Sequence, residues 1–256
     1  MLLAIDSGNT NATFGLFDQD KLINSWRIST DTARTADQYA VWLLKLFEIE
    51  GYSHEDIENV IIANVVPATD RAFRGMSEKY LKQFPMVIGD AAIDLGIDIM
   101  TQTPKEAGAD RVVNVVGAYT KIKQAGMVID FGTATTFDVL DEKGNYRGGV
   151  IAPGVNLSLK ALVDAAAQLA AIPIRKPEKV IGETTRQAME SGTFWGYVGL
   201  VEGLINRIKD ETGQDMKVIA TGGLSQLFAD AIQGIDHVAD NLTLEGLLEI
   251  YKRNIV

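Results

Sequence analysis

The chain contains no cysteine, which excludes disulfides and thiolate metal sites and leaves a reducing compartment open to it. It has two histidines, His54 and His237, and their separation gives no metal-ligand spacing. No glycine stands two positions from another, so the chain has no G-x-G. That excludes the dinucleotide fingerprint and the protein-kinase glycine loop, and the G-x-x-x-x-G-K-[ST] phosphate loop is missing as well. No apolar run is long enough to span a bilayer, and the first residues lack the basic stretch and cleavage site of a signal peptide. The expectation is a cytoplasmic protein with no membrane contact. A net charge of −10 argues against nucleic acid as a partner, although a nucleotide can still bind through local N–H groups and a metal ion.

What is present is a normal globular composition, 46% apolar and 23% charged over 256 residues. Near the middle, Val128-Ile129-Asp130-Phe131-Gly132-Thr133-Ala134-Thr135-Thr136 is an apolar run ending in aspartate, a glycine turn and a second run led by hydroxyl residues. This predicts strand, tight turn, strand. Such a turn suits a phosphate: glycine lets backbone N–H groups approach an anion, threonine hydroxyls add donors, and the carboxylate suits the Mg²⁺ that accompanies ATP. The same order occurs at the start of the chain, in Leu3-Ala4-Ile5-Asp6-Ser7-Gly8-Asn9-Thr10-Asn11-Ala12-Thr13-Phe14. The two copies lie about half a chain length apart, which predicts a duplicated domain and not a short solenoid unit. The expected division is 1–117 and 118–256.

Both halves read as α/β with mixed sheets flanked by helices. In the first, strands are expected over residues 2–6, 12–17, 22–28, 60–66 and 86–88. A helix capped by Thr35 and stopped by Gly51, and another over 69–83, lie among them. Thr103-Pro104-Lys105-Glu106 has the form of a helix start, predicting a helix from there to about Gln124. The second half repeats the scheme, with strands over 127–131, 134–140, 146–151 and 217–221. Its helices are expected near Asn156, over 184–212, and on to the C-terminus. Two further turns, Ile151-Ala152-Pro153-Gly154 and Thr221-Gly222-Gly223, connect a strand to a helix, where open α/β sheets place ligands; a purine could lie against the bare backbone of Gly222 and Gly223.

Taken in order, D-x-G-N-T at Asp6, P-x-E-x-G-A-D-R ending in Gly108-Ala109-Asp110-Arg111, D-F-G-T-A-T-T at Asp130, I-x-P-G at Ile151, A-T-G-G at Ala220 and L-T-L-E-G-L at Leu242 resemble the type III pantothenate kinases. These belong to the actin, sugar-kinase and Hsp70 superfamily, and the resemblance implies two actin-like (ribonuclease H-like) domains with ATP in the cleft between them. It also implies phosphorylation of pantothenate by ATP to 4'-phosphopantothenate, the first step of coenzyme A biosynthesis. Carried over by matching motif, Asp6, Gly8, Asn9, Thr10 and Asn11 would form the first phosphate hairpin, with Asp6 near Mg²⁺. Gly132, Thr133, Ala134 and Thr135 would form the second, Gly222 and Gly223 would complete the ATP site, and Asp130 would lie near a monovalent cation, K⁺ or NH₄⁺. Asp110 would be the general base. Gly108, Ala109, Asp110, Arg111 and Thr185 would contact pantothenate, whose carboxylate suits the fork of an arginine. From the residues alone, Asp110 and Arg111 read better as a solvated helix face with local ion pairs, and only the resemblance reverses that preference.

The chain departs from the family around the substrate. Thr101-Gln102-Thr103 stands where Tyr-Asp-Asn is usual, Ala165 and Ala166 replace a basic or histidine residue and a threonine, and Thr184 replaces the asparagine of G-x-N-T in Gly182-Glu183-Thr184-Thr185. These departures keep two other readings open: an ATP-binding regulatory protein of the Bvg accessory factor type, and a superfamily kinase for another small hydroxy acid. Gly192, Gly196, Gly199 and Gly203 recur along one face of the long helix and predict a close helix contact, either within the chain or across a dimer. The family is dimeric, which implies a homodimer through this face.

Overall fold

A computed structural model describes residues 1–166 and 169–255. The chain forms two compact units. The first comprises Met1–Asp98, Thr103–Thr120 and Thr243–Val256; the second comprises Ile99–Gln102 and Lys121–Leu242.

In the first unit, β1 (Leu2–Ser7), β2 (Asn11–Asp18) and β3 (Lys21–Ser29) form an antiparallel meander. Helix α1 (Ala36–Glu50) follows, then β4 (Asn59–Asn64), which pairs parallel with β1, and a short β5 (Met86–Val87). The order is β3-β2-β1-β4-β5. Its central strands read as unbroken apolar runs because both faces are covered. Alternate residues serve opposite sides: Leu3, Ile5, Val60 and Ile62 pack with α1, whereas Leu2, Ala4, Ile61 and Ala63 pack with Val113, Val116 and Leu247. Helix α1 starts as expected, with a full capping box between Thr35 and Gln38, and stops at Gly51 in the left-handed conformation. The helix expected over 69–83 divides into α2 (Asp70–Met76) and one wider π turn, Ser77–Leu81.

The helix start expected at Thr103 is displaced. Thr103 spends its hydroxyl on the Glu106 carboxylate, 2.8 Å away, and Pro104–Glu106 makes only a 3₁₀ turn. Ala107 is extended, and α3 (Ala109–Ile122) begins beyond Gly108. Asp110 and Arg111 therefore lie in the first turn of a helix instead of in its middle.

In the second unit, β6 (Gly126–Phe131), β7 (Ala134–Leu140) and β8 (Tyr146–Pro153) form the meander. Helices α4 (Val155–Ala165) and α5 (Thr185–Thr212), strand β9 (Lys217–Thr221), helix α6 (Ser225–Ala229), a short β10 (His237–Val238) and helix α7 (Leu242–Asn254) follow in sequence. The sheet order is β10-β9-β6-β7-β8, strand for strand the arrangement of the first sheet, and β9 pairs parallel with β6 as β4 does with β1. All of α7 but Leu242 packs into the first unit.

Candidate active site

The duplication puts Asp6 and Asp130 at equivalent places. Each closes the central strand of its sheet, with an antiparallel neighbour on one side and a parallel one on the other: Thr13 and Ala63 for Asp6, Thr136 and Thr221 for Asp130. Both side chains are partly buried. The turns that follow differ by one residue. Gly8, Asn9 and Thr10 connect β1 to β2, with the Gly8 N–H on the carbonyl of Asn11 at 3.0 Å, and the Thr30 hydroxyl holds the Gly8 carbonyl at 2.6 Å. Gly132 and Thr133 connect β6 to β7, with the Gly132 N–H on the Ala134 carbonyl at 3.1 Å. Asn9, Thr10, Gly132 and Thr133 are exposed residues at the sheet ends.

Within the second unit three motifs converge. Gly154 donates its N–H to the Thr133 carbonyl at 3.1 Å, and a Cβ on Gly154 would fall 2.3 Å from that oxygen. Gly222 has φ of +90°, and a Cβ there would lie 2.4 Å from the Asp130 Oδ1 and 2.7 Å from the Phe131 nitrogen. The glycines of I-x-P-G and T-G-G are thus what lets two loops close on the second hairpin. Gly223, beside Gly222, is exposed. Thr135 is buried, and its hydroxyl bonds to Tyr197 of α5, whose hydroxyl also donates to the Pro153 carbonyl at 3.3 Å. That brace was not legible in the sequence, since Tyr197 follows the exposed Gly196 and carries no motif.

In the first unit, Gly108, Ala109, Asp110 and Arg111 run into α3. The Asp110 Oδ1 accepts the Arg111 backbone N–H at 2.8 Å, and a Cβ on Gly108 would sit 2.6 Å from the same oxygen. Gly108 is therefore the space that the Asp110 carboxylate occupies. Burial raises the Asp110 pKa, and the Arg111 N–H and positive charge only partly oppose it.

Thr185 opens α5 and is exposed. The segment before it is strapped to that helix. Glu190, 5% exposed, accepts the Arg175 Nη2 on both oxygens at 3.0 and 3.1 Å and the Arg186 Nε at 3.0 Å, and these arginines lower its pKa, Arg186 first. The Ser191 hydroxyl donates to the Val180 carbonyl, and a Cβ on Gly182 would fall 2.3 Å from the Ala188 nitrogen. Replacing Glu190 by glutamine keeps its shape and removes its charge. Tryptic cleavage after Lys179 is expected to become several-fold faster, and an unchanged rate would mean that the ion pairs do not hold the strap.

Of the atypical positions, Thr101 has a buried Oγ1 with no hydrogen-bond partner among the described residues, and Ala165 is exposed at the end of α4. The glycine face of α5 is open: a Cβ at Gly192, Gly196 or Gly199 would meet nothing within 4 Å among the described residues. No group of three or more metal-binding side chains occurs among the described residues, and none of their helices is long and apolar enough to cross a membrane. An Mg²⁺ held mainly by nucleotide phosphates needs only one or two protein carboxylates, so Asp6 alone fits that part.

Two equivalent mixed sheets, each ending in an Asp-x-Gly hairpin, define an actin-like fold. Solved structures with this fold include a Baf family transcriptional activator from Campylobacter jejuni, described as conserved and putative (19% identity, 98% of each chain, TM-score 0.63). Another is the ADPNP-bound activator of 2-hydroxyisocaproyl-CoA dehydratase from Clostridium difficile (13% identity, 99% of this chain and 95% of that one, TM-score 0.54). The sequence is more specific. The model of the type III pantothenate kinase family matches residues 2–207. The type III pantothenate kinase of Paramagnetospirillum magneticum is 55% identical over 99% of this chain and 98% of its own, and that of Caulobacter vibrioides is 48% identical over 100% and 98%. The chain belongs to the type III pantothenate kinase family.

Proposed function

We propose that this chain transfers the terminal phosphoryl group of ATP to the terminal hydroxyl of pantothenate, the first step toward coenzyme A, with Asp110 as general base. The observation that carries this is the Asp110 carboxylate, fixed in the first turn of α3 and raised in pKa by burial. A base works best when its pKa approaches the working pH, and burial moves an aspartate in that direction. Arg111, its neighbour, is assigned to the pantothenate carboxylate, and Gly108, Ala109 and Thr185 to the rest of the substrate.

The phosphates are assigned to the two turns, Gly8, Asn9, Thr10 and Asn11 in one and Gly132, Thr133 and Ala134 in the other, with Asn9, Thr10, Gly132 and Thr133 the exposed residues among them. Thr135 braces the second turn through Tyr197. Gly222 and Gly223 offer bare backbone to the purine. Mg²⁺, when bound with ATP, neutralises charge on the phosphates, and Asp6 is assigned to it. Asp130, tucked beneath Gly222, is assigned to a monovalent cation, K⁺ or NH₄⁺.

A homodimer through Gly192, Gly196, Gly199 and Gly203 is supported by the open glycine face of α5 and by the exposure of Ile151, Leu157 and Leu162 in the same unit. The duplication boundary near residue 117 and a cytoplasmic location belong to the same proposal. The regulatory alternative is not favoured, because relatives 44 to 55% identical over the whole chain are named as the kinase.

The direct test is purified protein with ATP, Mg²⁺ and pantothenate, with and without K⁺. Phosphopantothenate formation that requires both substrates and slows without the cation is expected. ATP binding without turnover would favour the regulatory reading.

A further inference from the structure

The L-T-L-E-G-L segment opens α7, and neither the phosphate hairpins nor the substrate motif accounts for it. Its Thr243 hydroxyl donates to the Asn114 Oδ1 at 2.7 Å. Asn114 is 1% exposed, a single amide within Val112-Val113-Asn114-Val115-Val116 on α3, one helical turn beyond Asp110. Three residues after Thr243, Gly246 meets α3 backbone to backbone: a Cβ there would fall 2.2 Å from the Val113 carbonyl oxygen and 3.0 Å from its carbon. Between them Leu244 points the other way. Its Cδ1 is 2.8 Å from where a Cβ on Gly15 would stand, in β2, the strand that leaves the first phosphate turn. Leu244 and Leu247 are buried in the cluster that also holds Leu2 and Ala4 of β1 and Val113 and Val116 of α3.

Valine packed on leucine leaves the position of a helix along its axis weakly determined, because one turn of apolar surface resembles the next. A buried amide bonded to a hydroxyl on the facing helix removes that degeneracy, as a buried asparagine sets register in a coiled coil. Helix α3 carries Asp110 and Arg111 in its first turn, and β1 and β2 carry the Asp6 hairpin. Through this motif α7 touches both.

We propose that Thr243 and Gly246 are positioning residues for the kinase reaction: α7 fixes the register of α3 against the β1–β2 pair, and so the place of Asp110 relative to the first phosphate hairpin. The proposal rests on Asp110 acting as the base. Both act through the packing of α7 on α3 and β2 and are assigned no contact with substrate.

Thr243→Val removes the hydroxyl and keeps the volume. In steady-state assays on folded protein, kcat is expected to fall about tenfold, the scale on which misplacing a reacting group acts, while KM for ATP stays within about twofold. Thr243→Ser is expected to restore kcat to within about twofold of the parent. Should the valine variant not be recovered folded, Thr243→Ala with the same readouts replaces it. Asp110→Asn is assayed in parallel. If Asp110→Asn is inactive and Thr243→Val has the parent's kcat, the positioning role is overturned while the base assignment stands. A loss that serine does not restore, or one matched by an equal loss of folded protein, overturns it too. If Asp110→Asn turns over normally, the base assignment falls and the positioning role with it.

Discussion

Replacing Asp110 by asparagine is expected to lower kcat by about 10² or more while leaving ATP binding intact. The side chain keeps its size, so Gly108 still accommodates it, but it no longer accepts the proton that pantothenate's hydroxyl must lose. ATP affinity, measured by titration calorimetry, reports on the hairpins and stays near the parent's. Turnover close to normal would overturn the assignment.

The same substitution has a stability signature of defined sign. Burial raises the folded-state pKa of Asp110 above its unfolded value, so in the interval between them the native state holds more protons than the unfolded chain. Stability from this group is therefore fully present below the ordinary aspartate range, is lost as pH rises through the raised value, and stays lost at neutral pH. Asparagine carries no charge to bury. Asp110→Asn is expected to melt higher than the parent at pH 7, with the difference vanishing as pH falls below the ordinary aspartate range. A variant that gains stability while losing turnover is what a base held in an unfavourable environment for its chemistry should give.

Much of this was legible in sequence because the physics was local. The Asp-x-Gly hairpins, the buried runs of β1, β4 and β6, and the cap at Thr35 follow from period, turn chemistry and capping within a few residues. The start of α3 was misplaced for a local reason as well: Thr103 and Glu106 have capping spacing, but they bond to each other through their side chains and Gly108 breaks the chain before the helix begins. What sequence could not supply was partnership at distance. Asn114 is conspicuous as the one amide in a valine run, yet nothing in the run says that its partner is Thr243 on the last helix. Tyr197 and Thr135, or Arg175 and Glu190, are likewise ordinary residues until the fold brings them together. The glycine stripe was legible as a face, and the structure adds that among the described residues it is uncovered at Gly192, Gly196 and Gly199, while Arg207 lies over Gly203.

Gly222→Ala is expected to be the most damaging single-methyl change in the second unit. Two costs combine. A left-handed alanine costs about 1–2 kcal/mol, and a Cβ forced against packed neighbours typically adds about 1–3 kcal/mol. The clash cannot be relieved by a rotamer, since two of the nearest atoms are the backbone nitrogen and carbon of Phe131, at 2.7 and 2.8 Å, and the third is the Asp130 carboxylate. Either the T-G-G loop lifts away from β6 or the end of β6 moves. For a chain of this size a loss of that order lowers Tm by roughly 5–15 °C, at about 2–4 °C per kcal/mol. Function should suffer beyond stability, because the displaced groups are the backbone assigned to the purine and the carboxylate assigned to the cation. At a temperature where the variant remains folded, ATP affinity is expected to fall at least tenfold, and adding K⁺ should no longer raise the rate. Gly223→Ala is the control for stability only, because Gly223 is itself assigned to the purine. Gly223 is exposed, and its φ lies outside the left-handed region, so its methyl does not carry the left-handed cost. Equal losses of Tm and of the K⁺ response from both substitutions would assign the effect to general disruption of the loop. Losses of Tm and K⁺ response confined to Gly222 would tie cation binding to the close approach between T-G-G and Asp130.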